Sequence, residues 1–170
     1  MIRIFFGVLI AALGTLAGFT IGGGRLSPLF HPAEVVVIGA ILIGGLITAF
    51  GLVRPFGMLF DALVGRRHSL DRIQVNIKIC ESGSCLGILG GVAATLLGAF
   101  ITLDGWDGDA RFLALKFGAA ISGTVIGLII AATIFQPLKF YFHKQAIETA
   151  SATTKESPYQ PPVLSGLGVP

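Results

Sequence analysis

Long hydrophobic runs separated by short polar stretches dominate the chain. Four of these runs cover residues 4–22, 35–53, 85–103 and 112–135. A helix crosses a hydrocarbon core of about 30 Å with roughly 20 residues, so each run is long enough to span a membrane. The pattern therefore predicts an all-α, polytopic membrane protein with four transmembrane helices.

The composition argues against a soluble globular fold. Of the 170 residues, 54% are hydrophobic and only 12% are charged, whereas roughly a quarter of the residues of an ordinary soluble domain are charged. Most of the 24 glycines lie inside the hydrophobic runs, and they show no strict Gly-X-Y period, which excludes collagen and a disordered chain. The net charge of +3 is interpreted as orientation charge, so we expect no nucleic-acid partner.

The basic residues lie mainly on one side of the predicted spans. With both termini inside, nine of the 12 Lys and Arg residues fall on the inner side, and Arg25, Arg111 and Lys116 fall on the outer side. Positive residues close to helix ends stay in the cytoplasm, so the distribution predicts an N-in, C-in topology. The first run lacks an Ala-x-Ala cleavage site and is therefore predicted to be a span and not a signal peptide.

The same pattern divides the chain into two hairpins and two polar segments. Residues 1–53 form the first predicted hairpin, and residues 85–144 form the second hairpin with its inner helix end. Residues 54–84 form a short cytoplasmic connection between them. Residues 145–170 are rich in Ser, Thr and Pro and are predicted to form a flexible cytoplasmic tail.

The short connection contains two patterns of its own. Apolar side chains recur at helical spacing over residues 56–63, which predicts a helix lying along the membrane interface. In the second part, residues 65–84, the apolar positions fit a strand and a helix equally well. The sequence alone does not decide between these two structures.

Small residues recur one helical turn apart in every predicted span. Lipid provides no hydrophobic reason for helices to associate, so close packing relies on small residues that let backbones approach. Gly14 and Gly18 share a face of the first span, and the third span has two small faces. Two small-residue faces on one helix suggest two neighbouring helices, of which one can belong to another copy of the chain. The alternative is a compact monomeric four-helix bundle. The packing positions predicted for the third and fourth spans are Gly87, Gly91, Gly98, Gly123 and Gly127.

Polar side chains within the spans are few. No carboxylate is expected at mid-depth, where it would mark an ion path, and Glu34 is expected at the outer start of the second span. Thr95 and Thr124 each lie roughly 15 to 18 Å into their helices, near the bilayer midplane, so two antiparallel helices offer hydroxyls at a similar level. The alternative is that each hydroxyl bonds a carbonyl of its own helix one turn back.

The sequence offers no candidate set of nucleophile, base and orienting residue, so we expect no enzyme activity. Cys80 and Cys85 lack the further ligands that a metal site needs, and they are interpreted as bystander thiols. We expect no metal and no cofactor.

Three separated motifs carry a family resemblance. Residues 24–34 read GRLSPLFHPAE, including Pro32 and Glu34, and precede an apolar run. The third span contains ATLLG around Thr95, and the fourth contains Gly-Thr-x-x-Gly around Thr124 with Pro137 at its inner end. These segments resemble the MotA/TolQ/ExbB ion-channel superfamily, and most closely the four-helix MotA flagellar stator subunit.

The resemblance implies a homopentamer in a bacterial cytoplasmic (inner) membrane. The ring would surround a dimer of a MotB-like single-span partner that carries an intramembrane Asp, and would convert proton or sodium motive force into mechanical movement, as in flagellar motility. By position, Thr95 and Thr124 match the hydroxyl pair of the family that faces the Asp of the partner. The resemblance leaves the ion undecided, with protons favoured.

The sequence departs from the family at two places. The family proline near the inner start of the third helix is absent, so Gly83 and Ser84 would have to supply any kink. The cytoplasmic domain of MotA is reduced here to residues 54–84. Arg66, Arg67 and Arg72 are candidates for a reduced cytoplasmic contact, although positive-inside charge explains them without a rotor. A non-conducting structural or regulatory assembly protein that retains the family fold is the alternative function.

Overall fold

The computed structural model describes residues 2–22, 32–64, 69–106 and 108–156, and all regular structure in these ranges is helical. The elements are α1 (Ile2–Ile21), α2 (Pro32–Phe50), α3 (Val53–Val64), α4 (Leu70–Asp104) and α5 (Ala110–Ile130). A π-helical turn, Ala131–Phe135, joins α5 directly to α6, Gln136–Glu156.

Within the described residues, three helical stretches are long and apolar enough to cross a membrane: α2, α4 and the continuous rod formed by α5, the π turn and α6. The apolar part of α1, Phe6–Ile21, is shorter than these stretches. The all-α class is therefore confirmed, and three long apolar helices are compatible with a multi-pass membrane protein. A fourth span and the orientation remain predictions.

Two helices extend well beyond a bilayer. The 35 residues of α4 measure about 52 Å at 1.5 Å per residue, against a hydrocarbon core of about 30 Å. The beginning of α4 packs against α6, and its remainder packs against α5. We refer to the end that contains α3, the beginning of α4 and α6 as the inner end, following the predicted orientation. The end near residues 104–110 is the outer end.

The largest hydrophobic cluster lies at the inner end. It joins the last turns of α2 to α3, α4 and α6, and Ile73, Ile79 and Cys80 of α4 are completely buried in it. Phe142 of α6 is 1% exposed and is among its largest buried side chains. The apolar positions of residues 70–80 are therefore those of a helix packed on α6, and the strand interpretation of this segment is wrong.

The short helix α3 follows the expected pattern. It begins with Pro55 in its first turn, where a proline is tolerated because the first N–H groups of a helix have no intrahelical partner. Met58 and Ala62 are buried on one face, whereas Phe60 and Leu63 are more than 60% exposed on the other. A helix over residues 56–63 is confirmed, and its exposed apolar face suits a membrane interface.

The tail begins later than the composition suggests. α6 continues to Glu156, so residues 145–156 extend the helix, and the rest of the predicted tail lies outside the described residues. At the outer end, Asp109 caps α5 by accepting a hydrogen bond from the Arg111 N–H at 2.9 Å.

Candidate functional site

Glycines bring α4 and α5 into backbone contact. A Cβ atom placed on Gly91 would lie 2.7 Å from the Gly123 carbonyl oxygen and 3.0 Å from the Gly127 Cα. One on Gly98 would lie 3.0 Å from the Ala120 Cβ. Gly87 belongs to the same seam, since a Cβ there would lie 3.5 Å from the Gly127 carbonyl oxygen. The five glycines predicted from small-residue spacing thus face each other along one helix pair.

Two threonine hydroxyls meet in the middle of this seam. The Oγ1 atoms of Thr95 and Thr124 are 2.8 Å apart, and the Thr124 backbone N–H donates to Thr95 Oγ1 at 2.9 Å. Both side chains are partly buried. The close approach at Gly91 and Gly123 makes the contact possible, because bulkier residues there would hold the helices apart.

Most other described threonines behave differently. Thr48, Thr102 and Thr133 donate to carbonyls of their own helices four residues earlier, at 2.7 to 2.8 Å. Thr95 and Thr124 bond across the seam, and no backbone carbonyl of the described chain accepts from either hydroxyl. The local-bond alternative therefore does not describe this pair.

The two threonine hydroxyls have hydrogen-bonding capacity that their mutual contact does not use. Each hydroxyl has one proton and two lone pairs, and the contact between them uses one of the two protons. The backbone N–H occupies one lone pair of Thr95. The pair therefore keeps one hydroxyl proton and free lone pairs, which can solvate a water, an ion or the carboxyl group of another chain.

The structure brings the carboxylate of Glu34 against the middle of α5. Glu34 is the third residue of α2, 8% exposed, and its carboxylate accepts a hydrogen bond from the Ser122 hydroxyl. Ser122 lies about 18 Å along α5 from Ala110, at 1.5 Å per residue. Glu34 lies in the first turn of α2, and this end of α2 meets α5 about three turns from the start of α5. The depth of the carboxylate in a membrane stays a prediction. Ser122, a polar residue inside an apolar helix, was the signal in the sequence for this contact.

The glycine-serine step in α4 introduces no break. Gly83 and Ser84 lie inside one continuous α-helix, and the irregular backbone is the π turn on the facing helix. The Gln136 N–H bonds the Ala131 carbonyl five residues earlier, immediately before Pro137. A proline lacks an N–H and crowds the carbonyl four residues before it, so a widened turn at this position accommodates Pro137. The sequence analysis identified the proline but did not predict the π turn that precedes it.

The basic cytoplasmic candidates are only partly described. Arg72 forms an ion pair with Asp61 of α3, with a nitrogen to oxygen distance of 3.0 Å. The Asp61 side chain is 7% exposed and that of Arg72 is 56% exposed, so the pair fastens α3 to α4 with one side in solvent. Arg66 and Arg67 lie outside the described residues. Pro32, the other residue of the outer motif, begins α2.

Comparisons of this chain with family models, with curated proteins and with solved structures find no match. Membership of the MotA/TolQ/ExbB superfamily therefore stays a prediction that rests on the three motifs.

Proposed function

We propose that the chain is a subunit of an ion-conducting membrane assembly of the MotA/TolQ/ExbB type. Several copies, five by analogy with that superfamily, surround a MotB-like single-span partner whose helix carries an Asp. The assembly converts proton, or sodium, motive force into movement of one component against the other. The proposal includes four spans and a location in a bacterial cytoplasmic (inner) membrane.

The observation that carries the proposal is the contact between Thr95 and Thr124. It is a pair of partly buried hydroxyls, near the middle of the apolar stretches at residues 85–103 and 112–135, with hydrogen-bonding capacity left over. Polar groups at such depth are costly unless they are used or satisfied. An ionised carboxyl group on the partner helix would accept a hydrogen bond from the remaining hydroxyl, and ions would pass between this carboxylate and water beside the pair.

Packing also supports an assembly of several chains. A Cβ atom placed on Gly14 or Gly18 of α1 would meet nothing within 4 Å, so the small face of this helix is uncovered by the described residues of the chain. Large apolar side chains of α4, including Leu96 and Phe100, are 65% and 71% exposed. Other copies, the partner helix and lipid share these surfaces in the proposed assembly.

The first experiment is native mass spectrometry of the tagged protein, extracted gently with its own membrane. Five copies together with two copies of a single-span protein that carries a membrane Asp support the proposal. A monomer, a dimer or an assembly without such a partner overturns it.

A second function is favoured by a specific feature of the inner end. The described residues between α2 and α4 form only the 12-residue helix α3, which is tied to α4 by Asp61 and Arg72. A non-conducting assembly protein would keep the packing seam without needing a larger cytoplasmic domain. Ion flux through the reconstituted complex separates the two functions, because only the first predicts flux that depends on Thr124.

A further inference from the structure

The Glu34 carboxyl group lies in a pocket between three helices. A cavity of about 260 Å³ opens beside it, lined by residues of α2, α4 and α5. The lining is largely apolar, and its polar members are Glu34, Thr102 and Lys116. Since a buried water needs only about 10 to 15 Å³ of such space, the cavity has room for several waters next to the carboxylate.

The two other polar residues of the cavity are engaged elsewhere. Thr102 donates to the Gly98 carbonyl at 2.7 Å, within its own helix. The Lys116 amine lies 5.4 Å from the centre of the Phe112 ring, one turn further toward the outer end. Among the described residues, no Lys or Arg forms an ion pair with Glu34. Ser122 is therefore its immediate polar partner in this part of the chain.

The Ser122 hydroxyl lies between two acceptors but has one hydrogen. Ser122 Oγ lies within hydrogen-bond distance of the Glu34 carboxylate and is 2.6 Å from the Ala119 carbonyl oxygen. Both neighbours are acceptors when Glu34 is ionised, and a serine hydroxyl has a single proton to donate. With Glu34 ionised, the single Ser122 proton serves both acceptors as a shared, three-centre hydrogen bond or serves one of them alone. With Glu34 protonated, each contact has a hydrogen of its own, because Glu34 donates to Ser122 Oγ and Ser122 donates to the Ala119 carbonyl.

We propose that Glu34 and Ser122 form a proton-binding site that is loaded from this cavity. A proton from cavity water binds a Glu34 carboxylate oxygen, and the Ser122 hydroxyl turns from Glu34 to the Ala119 carbonyl. On release, the proton returns to water and the Ser122 hydroxyl donates to the ionised carboxylate again. Charge and hydrogen count balance, because one proton enters or leaves and the hydroxyl only rotates.

Within the proposed channel, this site supplies protons from the outer side. This role rests on the proposed function, whereas the proton site itself does not. Ser122 is two residues from Thr124, about 3 Å along the same helix, so the site and the threonine pair lie at nearly the same depth. The cavity reaches toward the pair from the outer end, since Ala94, the residue before Thr95, lines it.

Infrared spectroscopy of the protein in bilayers tests the site without requiring conduction. On acidification, the wild type is expected to gain the carbonyl band of a protonated, buried carboxylic acid, and Glu34→Gln is expected to lack it. Ser122→Ala should retain the band at a shifted frequency, because its hydrogen-bond partner is lost. Glu148→Gln, which removes an exposed carboxylate of α6, serves as the matched control and should keep the band.

Three outcomes overturn the proton site: no such band at any pH, a band that persists in Glu34→Gln, or a band that responds to sodium and not to acid. Circular dichroism and thermal unfolding establish that each variant is folded. Flux measurements then separate the two proposals. A titrating Glu34 in a complex that conducts nothing overturns the channel alone, and flux that is unchanged in Glu34→Gln overturns the supply role of this site.

Discussion

The ring of Phe135 occupies the space in which a side chain of Gly83 would lie. A Cβ atom on Gly83 would overlap the ring, and Phe135 itself is 6% exposed. Phe135 is the last residue of the π turn. Gly83, which the sequence suggested as a kink in α4, therefore provides the space in which an aromatic side chain from the π turn of the facing helix packs.

We expect Gly83→Ala to destabilise the protein by about 1 to 3 kcal/mol, the usual cost of overpacking. Phe135→Ala alone should cost about 3 to 5 kcal/mol, but Gly83→Ala should cost less in that background than in the wild type, because the alanine then has no ring to displace. A double-mutant cycle measured by denaturation in mild detergent gives the coupling between them. Additive effects of the two substitutions would contradict the packing described here.

Removing one hydroxyl of the threonine pair should reduce ion flux and leave the assembly intact. Thr124→Val keeps the shape and removes the hydroxyl, and an interhelical hydrogen bond in a membrane contributes only about 0.6 kcal/mol on average. A hydrogen bond to a charged group is worth about 1.5 to 3 kcal/mol, so flux should fall roughly ten- to a hundredfold. Flux into liposomes and the copy number by native mass spectrometry measure the two quantities.

Thr48→Val is the matched control, because Thr48 bonds the carbonyl of Gly44 in its own helix at 2.8 Å. It should conduct like the wild type. Equal losses in Thr48→Val and Thr124→Val would remove the special role of the seam. Unchanged flux in Thr124→Val would favour the non-conducting assembly protein.

Periodicity and small-residue spacing predicted the helical class, the interfacial helix α3 and the glycines of the seam. These features follow from apolar periodicity and from the spacing of small residues, such as Gly91 and Gly127, each of which is visible along a single helix. The burial of Glu34 follows from the relative heights of two helices, which no spacing within either helix specifies. The π turn accommodates the local Pro137, but its Phe135 packs against Gly83, a contact between residues far apart in the chain. The burial of Glu34 and the contact of Phe135 with Gly83 could be found only once the helices were placed together.

The glycine seam predicts sharply different effects for two glycines of α5. A Cβ on Gly127 would lie 2.9 Å from the Gly91 Cα, a backbone atom that cannot yield, whereas one on Gly118 meets nothing within 4 Å. Gly127→Ala should therefore destabilise by about 1 to 3 kcal/mol. Gly118→Ala should be neutral or stabilising by up to about 1 kcal/mol, because alanine favours a helix. The free energy of unfolding of the monomer in detergent measures both effects. Equal changes in the two variants would contradict the close packing of the seam.

The two cysteines are expected to differ in reactivity. Cys80 is fully buried at the inner end, and burial, followed by the charge of Glu81, raises the pKa of its thiol from 9.0 to about 12. A rise of three pKa units lowers the thiolate fraction near neutral pH about a thousandfold. In detergent, maleimide should modify the exposed Cys85 in Cys80→Ala and leave Cys80 unmodified in Cys85→Ala. Fast labelling of Cys80 in the folded protein would show that the inner cluster is open.

The ion pair between Glu81 and Lys139 makes the packing of α4 against α6 sensitive to acid. The Lys139 amine lies 2.9 Å from the Glu81 carboxylate, and its hydrogen bond and charge hold the pKa of Glu81 below the ordinary 4.5. A carboxyl group with a lowered pKa in the folded state stabilises the fold above its unfolded pKa, and this contribution disappears as the pH falls through the folded value.

The melting temperature of the wild type should therefore exceed that of Glu81→Gln at neutral pH, and the difference should shrink as the pH falls below about 4.5. The effect is expected to be small, since the Glu81 side chain is 50% exposed and solvent screens the pair. Glu148→Gln removes a carboxylate that pairs with the Lys144 amine at 3.9 Å in the same helix, a longer contact, and this variant should show a weaker dependence on pH. A difference between wild type and Glu81→Gln that is independent of pH would mean that this carboxylate stabilises the fold by packing and not by its charge.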